Sequence, residues 1–206
     1  MPESEAREVV PASSQHIQRA ANVILTGGVV AYPTETLYGL AVDALSKEAL
    51  ARLLHVKRRD PTHNISILVS DEAMLRCVVA ETSGLARRLM AAHWPGPLTL
   101  ILPAADGLPA PLVGPGGGVG VRVSSDPVAA ELVRRVGRPV TATSANLTSQ
   151  PPATTAHGAT LEGISLVLDG GKRQQQASTV LSLLAEPVVL RQGAVAVDLG
   201  GGGHGG

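Results

Sequence analysis

Four short clusters in this chain combine residue types that can bind or activate small polar molecules. The first is YPTETLYGL, Tyr32 to Leu40, where Thr34, Glu35 and Thr36 follow a short apolar run that ends at Pro33. Hydroxyls and backbone N–H groups at a strand exit can hold a small polar ligand. They can equally cap a short helix. The second is KRRDPTHN, Lys57 to Asn64. Pro61 forces an extended path, and residues two apart on an extended segment share a face, so Lys57 and Arg59 can point together. Two convergent cations suit a triphosphate, and Arg can grip it with two parallel bonds. The same charges also suit a solvated helix end, where they complement the macrodipole.

The third cluster is TATSANLTSQPP, in which Ser144 and Asn146 stand two apart and can offer a hydroxyl and an amide to one ligand. Ser and Asn also build simple turns. The fourth gathers Ser178-Thr179, Arg191 before Gln192-Gly193, and Arg122 within VGVRV. An Arg inside an apolar strand is costly without an anionic partner. That partner is either a substrate carboxylate or a structural salt bridge.

Other motifs carry less. Gly200, Gly202 and Gly205 match the spacing of a dinucleotide fingerprint but have no helix after them. GPGGGVG lacks the Lys-Ser/Thr of a P-loop and reads as a flexible surface loop. The six histidines show neither HxH nor HExxH spacing. Cys77 is the single cysteine, which excludes an internal disulfide and a cysteine-built zinc cluster.

The elements that must position these clusters follow from periodicity and punctuation. Helices are predicted from Ser13 or Ser14 to Gly27-Gly28, over SKEALARLLHV with Ser46 as cap, over TSGLARRLMAAHW up to Pro95-Gly96, and over DPVAAELVRRVG with Asp126 as cap. Strands are predicted at VVAYP, NISILVS, LTLILP, VGVRV, PVTATSAN, SLVLDGG, STVLSLL and PVVLRQG. Helices and strands alternate early and strands cluster late, which points to one α/β domain over residues 14–199 with a mixed sheet. Residues 1–13 read as a loose N-terminal arm and 200–206 as a Gly-rich disordered tail.

Composition bounds the function. Hydrophobic residues are 44% and charged residues 17%, enough for a packed core. Lys plus Arg equals Asp plus Glu, so no global field draws nucleic acid or anionic membrane, and any anion site must be local. One Trp, two Tyr and no Phe argue against stacking platforms for single strands. The N-terminus lacks the basic start and apolar run of a secretory signal, and no apolar stretch is long enough to span a membrane, so a cytoplasmic protein is expected.

Taken in order, YPTETLYGL, Lys57-x-Arg59, WPGPLTLIL, VGVRV, TSAN before Pro-rich sequence, DGG, STV and RQG resemble the YrdC-like threonylcarbamoyl-AMP synthase family, in its short, single-domain form. The resemblance implies an α/β fold with a twisted mixed parallel/antiparallel sheet, flanking helices and a concave basic cleft. It implies synthesis of threonylcarbamoyl-AMP and pyrophosphate from L-threonine, bicarbonate and ATP, with Mg2+ accompanying the ATP. The product would pass to a downstream threonylcarbamoyl transferase complex that modifies tRNA to N6-threonylcarbamoyladenosine, with weak tRNA contact by this chain and no membrane partner. It places Thr34, Arg122, the Ala142 backbone and Ser178 on threonine. It places Lys57, Arg59, His63, Ser144, Asn146 and Arg191 on the nucleotide, with Lys57, Arg59 and Ser144 closest to the chemistry. The chain departs from the family pattern at His63-Asn64-Ile65, where Lys or Asn before Pro-Leu is common, and at Gln192, where Pro is usual. An RNA-binding module of the same fold is the alternative. A carbamoyl-adenylate enzyme of the hydrogenase-maturation type would need further domains.

Overall fold

Among the described residues, every α-helix begins at a side chain that accepts from one of its first free N–H groups. In the computed structural model, which describes residues 8–58, 64–148, 150–173 and 176–199, five α-helices are capped in this way. They are α1 (Ser14–Leu25) by Ser13, α2 (Lys47–Lys57) by Ser46, α3 (Glu72–Arg76) by Asp71, α4 (Gly84–His93) by Ser83, and α5 (Pro127–Val136) by Asp126. Gly137 ends α5 in the left-handed conformation, at φ 67°, where a side chain would be strained. Helix α3 was not anticipated from the sequence, because five residues give too little periodicity to read.

The strands form two mixed sheets. One has five strands in the order β1 (Glu8–Pro11), β9 (Leu166–Asp169), β2 (Val30–Pro33), β3 (Tyr38–Ala41) and β8 (Thr143–Ser144). The other has six, in the order β11 (Val188–Arg191), β10 (Thr179–Ser182), β5 (Leu98–Pro103), β6 (Gly118–Arg122), β4 (Ile67–Leu68) and β7 (Val140–Thr141). Both contain parallel and antiparallel pairs. The mixed α/β class read from the sequence is the class observed.

Three local readings are corrected. Glu8–Pro11, expected to be part of a loose arm, pairs in parallel with Leu166–Asp169. Val9 and Val10 have partners there that no local pattern reveals. The GPGGG run is a 3-10 turn over Pro115–Gly117 leading into β6, not simply a loop. PVTATSAN is not one strand but two, and they belong to different sheets.

Alternation along the strands builds two cores. Val30 and Tyr32 join Leu166 and Leu168 against the apolar faces of α1 (Ile17, Ala21, Ile24) and α5 (Leu132, Val133, Val136). Ala31 and Val167 point the other way, into a larger core with Leu40, Leu50, Leu53, Ile67, Leu98, Leu100 and Val121. With few aromatics, branched aliphatics and alanines supply this packing, as composition requires. Among the described residues, no helix is long and apolar enough to cross a membrane.

Candidate active site

The chain switches sheets at Ala142. Strand β7 pairs with β4 in the six-stranded sheet, and β8 pairs with β3 in the five-stranded sheet, so Ala142 lies at the seam. Its N–H donates to the Ser66 carbonyl at 2.7 Å. A cavity of about 260 Å³ opens there. Thr34, Thr36, Gly39 and Ser144 line it from one sheet, and Thr99, Arg122, Ser178 and Arg191 from the other. Asn64, Ser66 and Ala142 complete its polar wall.

Six of the residues singled out from sequence therefore converge on one cavity: Thr34, Arg122, Ala142, Ser144, Ser178 and Arg191. Lys57 and Asn146 do not line it but sit directly behind Ser144. Arg59 and His63 lie outside the described residues.

Thr34 closes the four-residue turn between β2 and β3. Its hydroxyl donates to the Leu37 carbonyl at 2.7 Å and accepts from the N–H groups of Thr36 and Leu37, both at 3.2 Å. The capping alternative for these threonines thus takes the form of a hairpin turn, with no helix following. The turn aims Glu35 away from the cavity, into the protein.

That placement decides the surroundings of Arg122. Its Nη1 is 3.2 Å from Glu35 Oε1, and the two side chains are 7% and 10% exposed. Glu35 Oε2 accepts from the Ser124 hydroxyl. The Ser124 hydroxyl accepts from the Asp126 N–H at 3.2 Å, and Asp126 pairs with Arg173 at 3.0 Å. Arg122, Glu35, Ser124, Asp126 and Arg173 so form one linked polar chain, with the two anions between the two cations. The Arg122–Glu35 contact is ionic but poorly aligned: neither Arg122 Nη1 nor Glu35 Oε1 completes a hydrogen bond among the described residues. A buried donor on the cavity wall is costly until a ligand acceptor meets it. Tyr32 packs beside this cluster, and burial raises its phenol well above the ordinary tyrosine range, with Arg122 opposing the shift. It remains a neutral donor to the Thr141 carbonyl at 3.0 Å.

Arg191 enters from the edge strand β11. Its Nε and Nη2 donate to the carbonyl and hydroxyl of Ser178, both at 3.0 Å. The Ser178 hydroxyl also meets Thr99 Oγ1 at 3.0 Å. Desolvation lowers the pKa of Arg191, and the neighbouring Arg122 cation lowers it further. Two guanidinium groups that repel one another across a cavity form a site for an anion. The STV and RQG motifs are joined by Thr179, whose hydroxyl donates to the Val195 carbonyl and accepts from the N–H groups of Gly193 and Val195. A Cβ at Gly193 would stand 2.2 Å from the Ala177 carbonyl, so only glycine permits this approach.

Sequence reasoning named Glu35 without giving it a role and passed over Thr99 and Ser66. Thr99 did leave a signal: it is the one hydroxyl in the apolar run LTLIL. Glu35 left none, since its partner lies far away in the chain.

Two mixed sheets meeting at a polar cavity, with two arginines and a ring of hydroxyls, define an α/β protein with a cationic, hydroxyl-rich pocket. The chain belongs to the Sua5/YciO/YrdC family, whose model, described as "Telomere recombination", matches residues 22–193. It is 34% identical over 184 residues to the threonylcarbamoyl-AMP synthase of Vibrio cholerae, covering 87% of this chain and 98% of that protein. It is 35% identical over 187 residues to the threonylcarbamoyl-AMP synthase of Pyrococcus abyssi, covering 88% of this chain but only 55% of that one. The crystal structure of P. abyssi Sua5 complexed with L-threonine superposes with a TM-score of 0.84 at 33% identity, over 91% of this chain and 56% of that one. The chain thus spans about half of the Pyrococcus relative and nearly all of the Vibrio relative.

Proposed function

We propose that this chain is an L-threonylcarbamoyladenylate synthase, a nucleotidyltransferase that acts on L-threonine, bicarbonate and ATP. The observation that carries the reading is Arg122: a buried guanidinium on the cavity wall, with a donor that lacks a hydrogen-bond acceptor among the described residues. The fold neighbour complexed with L-threonine supports it, as do relatives named for this product.

In the proposed reaction, the threonine amine takes up carbon dioxide from bicarbonate with loss of water. A carbamate oxygen then attacks the α-phosphorus of ATP. The bond to the bridging oxygen of the β-phosphate breaks, and pyrophosphate leaves. Two anions must be brought together, so the protein's task is orientation and charge neutralisation. Arg122 would hold the threonine carboxylate, flanked by Thr34 and Ser178. The Ala142 N–H is engaged by Ser66, so Ala142 would offer its carbonyl. Ser144 and Arg191 would face the nucleotide, with Asn146 behind them and Arg59 and His63 completing the set. Among the described residues no three His, Cys, Asp or Glu side chains gather as a ligand set. Magnesium would therefore arrive held mainly by the phosphates and water. The adenylate would pass to a downstream transferase complex in the cytoplasm for tRNA modification, with weak tRNA contact at most by this chain.

Calorimetric titration tests the binding half of this reading. L-Threonine and ATP should each bind at one site. Threonine heats that are absent, together with steeply salt-dependent RNA binding, would favour the RNA-binding alternative.

A further inference from the structure

Lys57 does not line the cavity, and its ammonium engages the loop that carries Ser144. The side chain is buried, with the residue only 2% exposed. Its Nζ donates to the Ser144 carbonyl at 2.5 Å, the Asn146 carbonyl at 2.9 Å and Asn146 Oδ1 at 3.2 Å. All three of these acceptors belong to the Ser144–Asn146 segment. The clasp runs both ways: the Lys57 carbonyl accepts from the N–H and the hydroxyl of Thr148, at 3.4 and 3.3 Å. Asn146 Oδ1, held by Lys57, also accepts from the Ser144 hydroxyl at 2.5 Å. The direction of that hydroxyl, which lines the cavity, is thus set from behind by a buried cation.

We infer that Lys57 is a positioning residue: it fixes the Ser144–Thr148 loop, and through Asn146 the Ser144 hydroxyl, rather than contacting the triphosphate. Position supports this as well as the contacts. Lys57 is the last residue of α2, and its cation meets two carbonyls and an amide oxygen, groups that a lysine satisfies without a phosphate. Charge at the site then comes from Arg122 and Arg191, and from Arg59 if it reaches the nucleotide.

The inference rests on the proposed function only where ATP is the ligand, and its test has an arm that needs no ligand. Lys57→Met keeps the length of the side chain and removes its donors. Amide hydrogen exchange at Ala145, Asn146 and Thr148 should then accelerate by about tenfold or more, while β5 amides keep their wild-type rates. Lys57→Arg should loosen the loop similarly, because a planar guanidinium cannot replace three convergent bonds from a single nitrogen. In a double-mutant cycle with Ser144→Ala, the losses of ATP affinity should not multiply, since Lys57 acts through Ser144. Threonine affinity should change less than ATP affinity. Unchanged loop exchange in Lys57→Met, or multiplicative losses with rescue by Lys57→Arg, would overturn the inference in favour of a direct phosphate contact. If Lys57→Met does not fold, Lys57→Gln, which keeps two donors, provides the same comparison. If wild-type protein binds no ATP, the functional reading fails, and the exchange arm still decides the role of Lys57.

Discussion

Arg122→Ala should lose threonine binding and fold stability together. Sequence alone sets these up as rival outcomes: a substrate-binding cation or a structural ion pair. The structure joins them in one side chain, because Arg122 lines the cavity and also pairs with buried Glu35. Removing one partner of a buried pair typically costs roughly 3–5 kcal/mol, because the other charge is left uncompensated. Losing a charge-assisted hydrogen bond to a ligand carboxylate costs about 1.5–3 kcal/mol, which is tenfold or more in affinity. Arg122→Lys should restore part of the stability but little of the binding, since an ammonium cannot hold a carboxylate through two parallel bonds. The two effects are separable. The double variant Glu35→Gln with Arg122→Met removes both charges and should recover much of the melting temperature while threonine binding stays lost. Thermal melts and threonine titrations on the same proteins check this. A double variant that binds threonine normally would exclude Arg122 from the ligand site.

Asp126→Ala should be strongly destabilising although it lies outside the cavity. Asp126 Oδ1 accepts from the N–H groups of Val128 and Ala129 at the start of α5, at 2.8 and 3.1 Å. Its other oxygen pairs with Arg173 at 3.0 Å, with the Asp126 side chain 4% exposed. Loss of the cap costs about 1 kcal/mol. Isolating the Arg173 cation costs more, because the Arg173 side chain is only 20% exposed, and the sum should reach roughly 3–5 kcal/mol. Asp126→Asn keeps a capping oxygen and should fall between wild type and Asp126→Ala. Denaturant melts measure the series. An Asp126→Ala loss no larger than that of a simple cap would mean the Arg173 pair contributes little.

The four longer helices were legible because they follow local rules, whereas five-residue α3 was not. Ser46 and Asp126 announce their helices as N-caps. The candidate site was legible in its residue types: Thr34, Ser144, Ser178, Arg122 and Arg191 all reach one cavity. What could not be read was which groups face each other. Glu35 meets Arg122 because the β2–β3 turn points inward, and that depends on the packing of two sheets. Lys57 shows the same limit: its spacing suits either a face shared with Arg59 or a solvated helix end, and neither reveals that its ammonium meets two carbonyls of a distant loop. The split of PVTATSAN between two sheets follows from pairing across the chain, and no local pattern encodes it.

The most direct test of the account is pyrophosphate release from ATP by the purified chain, with L-threonine and bicarbonate each supplied or withheld. Release is expected only when both are present, with threonylcarbamoyl-AMP formed in equal amount. Release that continues unchanged without threonine would contradict it.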